Sequence, residues 1–493
     1  MPSEPNFPAD ALTLPVELST AALANIGRLA NVADYDRTYI RPSILHIGVG
    51  CFHRAHLATY VHELLAAGRH DWGIVGVGLL ATDAAMATAL RSQDFLYSLI
   101  SRSAAATHVE VIGSIVDYLL VDGGDAPIVA AFAAPSTQII SMTITEGGYP
   151  IDDATGAFVP GRCTPGSAFD VVARGLEARR QDGGAPLTVM SCDNIMGNGN
   201  VARSATIGAA QAVGGELVAW IESSVSFPNS MVDRITPVTA TSDIEWLRDE
   251  IGIIDRWPVV AEPFRQWVIE DDFAGDRLPL EDMDVIVTDD IDPYELTKLR
   301  LLNAGHSCLA YLAALDGFDL VDTAMADPRL RQFVETLLHS EAKPTLPTAA
   351  GIDLDVYIDL LIERFSNPAI GDQIARLCLD GSAKFPKFLV PTIRAQLVGD
   401  GRVELSALAV AGWCAYLSQT DADLSNDPLL DDAVARARQS LSDPAAFLDF
   451  SQVFGTELAD SPVFVDAFVT ALERLRTHGV QSAITTTLQE AEH

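Results

Sequence analysis

Lysine is scarce in this chain of 493 residues, where it accounts for four of the 32 basic side chains. Arginine stays protonated at any ordinary pH, whereas a buried lysine can lose its proton and act as a base. A lysine retained in so arginine-rich a chain therefore points to a task that arginine cannot perform. The four are Lys298, Lys343, Lys384 and Lys387, and we single out Lys298 as the candidate catalytic base.

Basic residues as a whole are far fewer than acidic residues. The chain has 32 Lys and Arg against 67 Asp and Glu, which gives a net charge of -35 at pH 7. Nucleic acids and anionic membrane surfaces would be repelled by such a protein, so the expected partner is a small molecule. The acidity is compatible with a monomer but does not fix the oligomeric state.

Long apolar runs and paired cysteines are absent as well. No stretch of 18 uncharged apolar residues is present, so no membrane span is predicted. The first ten residues lack the basic and apolar regions of a signal peptide. The six cysteines are scattered and form no CxxC motif, which indicates reduced cysteines in a cytoplasmic protein.

The N-terminal half begins with a pattern typical of dinucleotide binding. An apolar strand at 44–47 leads into Gly48-Val49-Gly50 and then a helical pattern to about residue 68. Glycines at such a turn let the backbone approach a pyrophosphate, which the helix N-terminus attracts. The motif is imperfect, because His53 takes the place of the third glycine of GxGxxG. The residues predicted to bind the cofactor here are Ile47, Gly48, Val49, Gly50, Cys51, Phe52 and Arg54.

A second apolar strand, at 73–79, is followed by Asp83. A carboxylate at this point can accept hydrogen bonds from an adenosine ribose and repel a 2′-phosphate, which favours NAD over NADP. Asp83 can equally cap a helix beginning at Ala84, and the two roles are compatible.

Further strands are predicted around 109–113, 137–145 and 187–191, alternating with helices. Apolar strands between helices indicate a parallel sheet that is covered on both faces. Thr145 and Glu146 follow one strand and Asn194 follows another, so they should lie at the edge where ligands bind. Thr145 and Glu146 complete the predicted cofactor site. Asn194 is either a site residue or an ordinary turn residue.

Helical periodicity replaces strands after about residue 290. We therefore predict an α/β Rossmann-type N-terminal domain with an expanded sheet over 1–290, and an all-α substrate and catalytic domain over 291–493. The predicted helices of the second domain are approximately 293–315, 328–340, 354–366, 369–380, 387–399, 404–419, 429–440 and 463–477.

The start of the helical half carries the candidate catalytic lysine. Asp292 and Pro293 suit the cap and the first position of a helix. At about 100° per residue, Asn303 and His306 lie roughly 140° and 80° around the axis from Lys298, so the three share one side. Gly305 falls nearly in line with Lys298 and should leave open space beside it.

Three further charged residues are candidates for binding a substrate. Asp233 looks buried beside Arg234, for which an internal ion pair is the structural alternative. Arg376 is predicted near a helix C-terminus, where a basic residue also complements the helix dipole. Lys384 is predicted in a loop at 380–387.

Five motifs together resemble the long-chain mannitol dehydrogenase family. They are FHRAH, TEGGY, SCDN followed by GNG, FPNSMVDRITP, and K-x-x-x-x-N-x-x-H, within a likeness that extends over about 44–480. The resemblance implies an NAD-dependent, metal-free enzyme that interconverts a polyol and a ketose, with D-mannitol and D-fructose as the expected pair. Thr82 stands where the family often has a second acidic residue, so NADP is expected as a weaker cofactor.

The resemblance also implies roles for individual residues. Lys298 is the general base, and Asn194 and Asn303 stabilise the alkoxide. The residues implied to hold substrate hydroxyls are His306, Asp233, Arg376 and Lys384.

Four alternatives remain at this point. Tyr294 and Lys298 match the YxxxK pair of short-chain dehydrogenases, although the position in the chain differs. A cluster of histidines at 46, 53, 56 and 62 suggests a metal, but no carboxylate or cysteine completes a site. A third alternative is a nucleotide-binding sensor with an inactive catalytic site. The fourth is an enzyme of the same family that acts on a hexuronate or on D-arabinitol. Arg376 or Lys384 is available to bind the carboxylate of a uronate.

Overall fold

The computed structural model describes residues 14–121, 124–152, 155–347, 351–419, 427 and 429–491. The chain divides into two units, and the division falls between Ile291 and Asp292. In the described ranges, no helix is both long and apolar enough to cross a membrane.

The first unit contains all the strands found among the described residues. Six of them form the main sheet, and the others form sheets of four, three and two strands. The strands are β1 (Val16–Glu17), β2 (Asn31–Val32), β3 (Pro42–Ile47), β4 (Gly73–Gly78), β5 (Tyr97–Arg102), β6 (Thr107–Ile112), β7 (Ile115–Leu120), β8 (Ile139–Met142), β9 (Leu187–Ser191), β10 (Val225–Ser226), β11 (Ser230–Asp233), β12 (Ile253–Ile254), β13 (Val259–Ala261), β14 (Gln266–Glu270) and β15 (Ile286–Thr288).

The main sheet has the strand order β10-β9-β8-β3-β4-β7. All of its pairings are parallel. From β3 the chain adds β4 and β7 on one side and then β8, β9 and β10 on the other. This is the order of dinucleotide-binding Rossmann folds, whose ligand lies beyond the carboxyl ends of the strands where the order reverses. That point is the end of β3 beside β8.

Both faces of the main sheet are covered. Successive residues of β3 enter different apolar clusters, because side chains alternate across a strand. Ile44 packs with Tyr60 and Trp267 on one face, whereas Leu45 packs with Phe132 on the other. The predicted parallel sheet with two buried faces is confirmed.

The strand predicted around 109–113 is present, but its assignment to the main parallel sheet is wrong. Residues Thr107–Ile112 form β6, which pairs antiparallel with β5 and parallel with β2 in the separate four-stranded sheet β13-β5-β6-β2. Only four residues separate β5 from β6, which permits a hairpin but not the crossover that parallel neighbours need. The parallel strand is β7, which follows two residues after β6.

The helices of the first unit cover its sheets. They are α1 (Leu23–Ile26), α2 (Cys51–Ala55), α3 (Leu57–Ala66), α4 (Asp83–Ser92), α5 (Ala126–Ala133), α6 (Ala168–Gln181), α7 (Asn198–Val213), α8 (Gly215–Ser224) and α9 (Thr241–Trp246), and a π-helical segment (Leu247–Ile251) extends the last. Short 3-10 turns lie at Thr20–Ala22, Arg37–Tyr39, Glu146–Gly148, Pro160–Arg162 and Leu280–Asp282.

The helix predicted from 51 to about 68 is broken in two at His56. Its backbone leaves the helical region, with φ -118° and ψ -93°. The His56 ring bonds through Nε2 to the carbonyl of Gln266 at 2.9 Å and stacks on Phe52. These tertiary contacts coincide with the break between α2 and α3.

In the described part of the second unit the regular elements are helices, apart from one isolated β-bridge between Leu320 and Gln373. Its helices are α10 (Asp292–Thr297), α11 (Ala304–Leu315), α12 (Val321–Ala326), α13 (Pro328–Leu337), α14 (Leu354–Phe365), α15 (Ile374–Leu377), α16 (Gly381–Phe388), α17 (Val390–Val398), α18 (Glu404–Gln419), α19 (Leu430–Gln439), α20 (Ser451–Phe454) and α21 (Pro462–Ala491). Two π-helical segments (Lys298–Asn303 and Leu338–Ala342) and 3-10 turns at Lys343–Thr345 and Pro444–Phe447 complete it.

Helix α18 lies at the centre of this unit and packs against α11, α19 and α21. Its residues from Leu405 to Ala415 are all buried. Trp413 of α18 stacks on Phe385 of α16, with ring centroids 4.7 Å apart. This contact fixes α16, the helix that carries Lys384, to the core.

Two predictions for this unit are wrong. The helix expected at 369–380 is reduced to α15, because Gln373 pairs in the bridge with Leu320 and the amide of Val321 donates to the carbonyl of Asp372. The loop expected at 380–387 is helix α16. The carboxylate of Asp427 accepts the amide of Ser382 at 2.9 Å and so satisfies one donor of its first turn.

Candidate active site

The glycine turn after β3 has the backbone geometry of a phosphate-binding loop. Gly48 has φ +87°, and a Cβ there would lie 2.2 Å from the carbonyl oxygen of Thr143. At Gly50 an added Cβ would meet nothing closer than 3.9 Å, so this side of the turn is open. Helix α2 begins directly after it, with its first amides unsatisfied by the helix. The residues therefore fit the pyrophosphate of a dinucleotide.

The other residues predicted to bind the cofactor at this turn differ in how far their side chains are buried. Val49 is buried, whereas Cys51 and Phe52 are half-buried at the start of α2. Ile47 is buried within β3. The guanidinium of Arg54 lies inside the unit, where it donates to the carbonyl of Trp257 at 2.5 Å.

Asp83 lies just beyond the end of β4. Its carboxylate accepts the amide of Leu80 at 2.9 Å, and it is the first residue of α4. Its Cβ packs so close to Gly78 that a side chain at that glycine would collide with it. The capping role considered for Asp83 is wrong, because Thr82 is the N-cap residue and the Asp83 carboxylate accepts an amide that precedes the helix. Its role in cofactor binding stays a prediction, for a residue that follows the carboxyl end of β4.

Two loops carry the predicted residues at the ends of β8 and β9. Thr145 and Glu146 follow β8 and Asn194 follows β9, and all three are exposed. Thr145 has φ +63° and ψ 166°. A residue other than glycine rarely adopts this conformation, and such strain is concentrated at functional sites.

Asp193 joins these two loops, although it was not among the predicted residues. Its carboxylate accepts the amides of Ile144 and Thr145 at 3.0 and 2.8 Å and the hydroxyl of Tyr149 at 2.8 Å. Burial raises the pKa of Asp193, and these donors oppose the shift. The clue in the sequence was an acidic residue at a strand end directly before Asn194.

Asn198, also missed, attaches the same region to β11. Its Nδ2 donates to the carbonyls of Asp193 at 3.0 Å and Ser230 at 2.7 Å, and its Oδ1 accepts the amide of Ser230 at 2.9 Å. A Cβ on Gly199 would lie 2.4 Å from the carbonyl of Phe227, so the GNG motif packs helix against loop. Asn198 therefore fixes β11.

Asp233 ends β11 and is buried. The neighbouring Arg234 makes its own set of bonds, to the carbonyls of Glu262 and Ala55 and the hydroxyl of Ser101. These bonds account for the buried Arg234 guanidinium, and the substrate-binding role of Asp233 stays a prediction.

In the second unit, Lys298 and Asn303 are the first and last residues of a π-helical segment between α10 and α11. Its wider turn shifts every later side chain around the axis, so the angles expected for an α-helix do not apply. Lys298, Asn303 and His306 are nevertheless all buried, with 7 to 9% exposure. Such π-bulges occur frequently at functional sites.

The open space predicted beside Gly305 is wrong. A Cβ there would lie 3.2 Å from the ring of Phe365 and 3.7 Å from Leu338. The absence of a Cβ at Gly305 lets Phe365 pack closely against the helix. The same Phe365 stacks on the imidazole of His306 with centroids 4.0 Å apart, and so holds that ring in place.

Arg376 and Lys384 lie in the same unit. The Arg376 guanidinium bonds Asp372 through Nε at 2.8 Å and through a terminal nitrogen at 2.6 Å. Lys384 donates to the carbonyl of Leu377 at 3.1 Å. Burial lowers the pKa of Lys384; Asp380 opposes this shift and the charge of Arg376 adds to it.

Among the described residues, no group of three or more histidine, cysteine or acidic side chains is arranged to hold a metal. The clustered histidines of the first unit have separate partners. His46 bonds the hydroxyl of Ser141 at 2.8 Å and stacks on His53, while His62 bonds the hydroxyl of Tyr35 at 2.7 Å. Burial lowers the pKa of His46 to about 3 and that of His62 to about 4.

Comparison with known proteins decides the family. Residues 42–282 match the mannitol dehydrogenase Rossmann domain, and residues 290–476 match the mannitol dehydrogenase C-terminal domain. The chain belongs to the mannitol dehydrogenase family. The resemblance inferred from its motifs and the expected fold class are both confirmed, and the family makes the protein a polyol dehydrogenase.

Members of this family resemble the chain over nearly its whole length. Mannitol 2-dehydrogenase of Cereibacter sphaeroides is 41% identical, covering 91% of this chain and 97% of that protein. The enzyme of the same name from Aspergillus fumigatus is 39% identical, with coverages of 95% and 99%.

Two solved structures of the same fold are similar to this chain. Pseudomonas fluorescens mannitol 2-dehydrogenase, in a ternary complex with NAD and D-mannitol, has a TM-score of 0.85 and 40% identity, covering 96% of this chain and 100% of that one. A D-sorbitol dehydrogenase in substrate-free form has a TM-score of 0.87 and 36% identity, with coverages of 95% and 100%.

Proposed function

We propose that the protein oxidises D-mannitol to D-fructose with NAD, and catalyses the reverse reaction, using Lys298 as general base and no metal. The observation that carries this proposal is the buried set of Lys298, Asn303 and His306 on one interrupted helix. The likeness to a mannitol 2-dehydrogenase that binds NAD and D-mannitol supports the substrate and the cofactor.

The residues divide the chemistry of alcohol oxidation between them. NAD, when bound, accepts the hydride from the carbinol carbon. Lys298 in its neutral form takes the hydroxyl proton, which contributes about 10²- to 10⁴-fold for a positioned base. Asn303 and Asn194 donate to the oxygen as its negative charge develops, each worth about 2.7 to 4 kcal/mol by analogy with an oxyanion-hole amide.

The binding of substrate hydroxyls is assigned to four further polar side chains. His306 is held by Phe365, so its ring presents a fixed edge. Asp233, Arg376 and Lys384 are assigned to the remaining hydroxyls on the resemblance to the family. A carboxylate such as Asp233 accepts hydrogen bonds from hydroxyls, whereas the two cations donate them.

A neutral polyol suits these cations better than a hexuronate does. The charge of Arg376 is already paired with Asp372, and Lys384 lies near Asp380. A substrate carboxylate would have to displace a carboxylate of the protein, whereas a hydroxyl can bind beside it. This pairing argues against hexuronate reduction as the function.

D-Sorbitol is a second candidate substrate, favoured by the likeness to a D-sorbitol dehydrogenase. D-Sorbitol and D-mannitol differ only in the configuration at one carbon, so the same base and amides would serve either. Discrimination would come from how a few side chains meet one hydroxyl.

The test is a comparison of substrates with the purified protein. NADH formation at 340 nm is followed with NAD and either D-mannitol, D-sorbitol, D-arabinitol, D-mannonate or D-altronate, with and without excess chelator. The proposal predicts the highest kcat/KM for D-mannitol and no effect of the chelator. A higher value for D-sorbitol or D-mannonate would reassign the substrate, and loss of activity with chelator would refute the metal-free mechanism.

A further inference from the structure

We infer that Asp193 is a positioning residue that holds two parts of the site in place. One is the loop after β8 that carries Thr145 and Glu146, here called the cofactor loop, and the other is the side-chain amide of Asn194, which binds the alkoxide. This inference rests on the proposed function, in which Thr145 and Glu146 contact the cofactor and Asn194 contacts the reacting oxygen. Asp193 itself need touch neither ligand. It acts by fixing the loop after β8 to the loop after β9.

The hydrogen bonds of Asp193 show how the two loops are joined. One carboxylate oxygen accepts the amide of Thr145 at 2.8 Å, and the other accepts the amide of Ile144 at 3.0 Å and the hydroxyl of Tyr149 at 2.8 Å. The side chain is buried, with 7% exposure. Water therefore competes little for these bonds, and each oxygen has a fixed partner.

The conformation held by these bonds is strained. Thr145 has φ +63° with ψ 166°, a region that residues other than glycine seldom occupy. Strain of this kind persists only where the surroundings impose it. The paired amides of Ile144 and Thr145, both bound to one carboxylate, are the restraint that imposes it here.

The backbone of Asp193 transmits the same restraint toward Asn194. Its carbonyl accepts the amide of Ile195 at 2.9 Å and the side-chain amide of Asn198 at 3.0 Å. Asn194 lies between residues that are fixed on both sides. Loosening Asp193 should therefore move the cofactor loop and Asn194 at once, so that both cofactor affinity and the chemical step suffer.

A second buried carboxylate in the same unit gives a matched control. Asp255 also accepts two backbone amides and one side-chain donor, from Ser98, Trp257 and Gln93 at 2.5, 2.8 and 2.9 Å. Burial raises its pKa as it does that of Asp193. None of its partners belongs to the loops after β8 and β9. Loss of either carboxylate should destabilise the fold similarly, but only loss of Asp193 should release the loops that carry Thr145, Glu146 and Asn194.

The experiment compares Asp193→Asn with Asp255→Asn in the full-length protein. NADH affinity is measured by fluorescence without substrate, kcat and KM are measured with D-mannitol, and Tm is measured by calorimetry. For Asp193→Asn we expect the Kd for NADH to rise about tenfold or more and kcat to fall at least as far, with the KM for D-mannitol changing less than threefold. Asp255→Asn should lower Tm similarly yet keep Kd and kcat within threefold of the wild type.

Tyr149→Phe provides a milder test should Asp193→Asn fail to fold. It removes one donor to Asp193 and leaves both amide bonds, so Kd and kcat should shift in the same directions by about threefold. Unchanged Kd and kcat in the folded variants would overturn the inference, as would equal losses in Asp255→Asn. Because NADH binding needs no substrate, a failure of the mannitol assay in the wild type would refute the proposed function without touching this result.

Discussion

Arg376 and Asp372 form an ion pair with two parallel hydrogen bonds, of 2.8 and 2.6 Å. The Asp372 side chain is mostly buried, with 11% exposure, while that of Arg376 is 58% exposed. The carboxylate is therefore the fixed partner, and it determines how much positive charge Arg376 offers to a ligand.

Removing that carboxylate should widen the choice of substrate toward acids. In Asp372→Asn the guanidinium keeps a neutral acceptor but loses its counter-charge. We expect the ratio of kcat/KM for D-mannonate to that for D-mannitol to rise at least about fivefold, a modest effect because Arg376 is exposed to solvent. Steady-state kinetics with both substrates measures it.

Glu335→Gln is the matched control for this prediction. It removes the same charge from another i,i+4 ion pair of the second unit, Arg331–Glu335. An equal rise in the ratio in this variant would mean that net charge, and not the partner of Arg376, is responsible.

Asp83 should control the choice between NAD and NADP. It is the first residue of α4, beyond the end of β4, and Thr82 precedes it in place of a second acidic residue. In Asp83→Ser we expect kcat/KM for NADP relative to NAD to rise by roughly tenfold or more, because the charge that repels a 2′-phosphate is gone. The control is Asp117→Ser, at an exposed carboxylate within β7, which should leave the ratio unchanged. An unchanged ratio in Asp83→Ser would contradict the assignment of Asp83 to the cofactor site.

Glu341 introduces a pH dependence into the stability of the second unit. It is fully buried in the π-helical segment that follows α13, and it accepts the amides of Leu405 and Ser406 at 2.7 and 2.9 Å. Burial raises its pKa from 4.5 to about 7, and the donors at the start of α18 oppose that shift.

The direction of the effect follows from that raised pKa. The stability contributed by protonated Glu341 is fully present below the unfolded pKa of 4.5 and is lost as the pH rises through about 7. Relative to Glu341→Gln, the wild type should lose about 3 kcal/mol of unfolding free energy between pH 4.5 and pH 8. Urea unfolding of both proteins across this range measures the difference, and a difference that does not vary with pH would contradict it.

The sequence was sufficient to predict the Rossmann half wherever local signals and the tertiary fold agree. The glycine turn at Gly48 and the apolar strands β3, β4 and β9 each carry their own pattern. At β6 the strand was predicted but its sheet was not, because its apolar run has no feature that separates a hairpin strand from a strand of the main parallel sheet. The short connection of four residues to β5 determines that β6 forms a hairpin, and hydrophobic periodicity alone contains no information on that connection.

The helical half shows a different limit. A π-helical segment at Lys298–Asn303 leaves no residue-level signature, so α-helical geometry gave wrong angles for Asn303 and His306. Gly305 was interpreted as open space because its neighbour Phe365 is 60 positions away in the chain. Asp193 was missed for the same reason, since its partners follow another strand.

Lys298 is central to the proposed mechanism, and its replacement tests that mechanism most directly. Lys298→Met removes the base while keeping an unbranched chain in the π-helical segment, and Lys298→Arg keeps the charge but cannot be deprotonated near neutral pH. Lys343→Met is the control, because the ammonium of Lys343 pairs with the exposed carboxylate of Asp355.

The measurement is kcat for NAD-dependent D-mannitol oxidation from pH 6 to 10, with chelator present and NADH binding verified separately. The account predicts a loss of at least about 10³-fold in both Lys298 variants, within the range for a general base. Lys343→Met should retain full activity. Activity within tenfold of the wild type in Lys298→Met, with unchanged NADH binding, would contradict the assignment of Lys298 as the base.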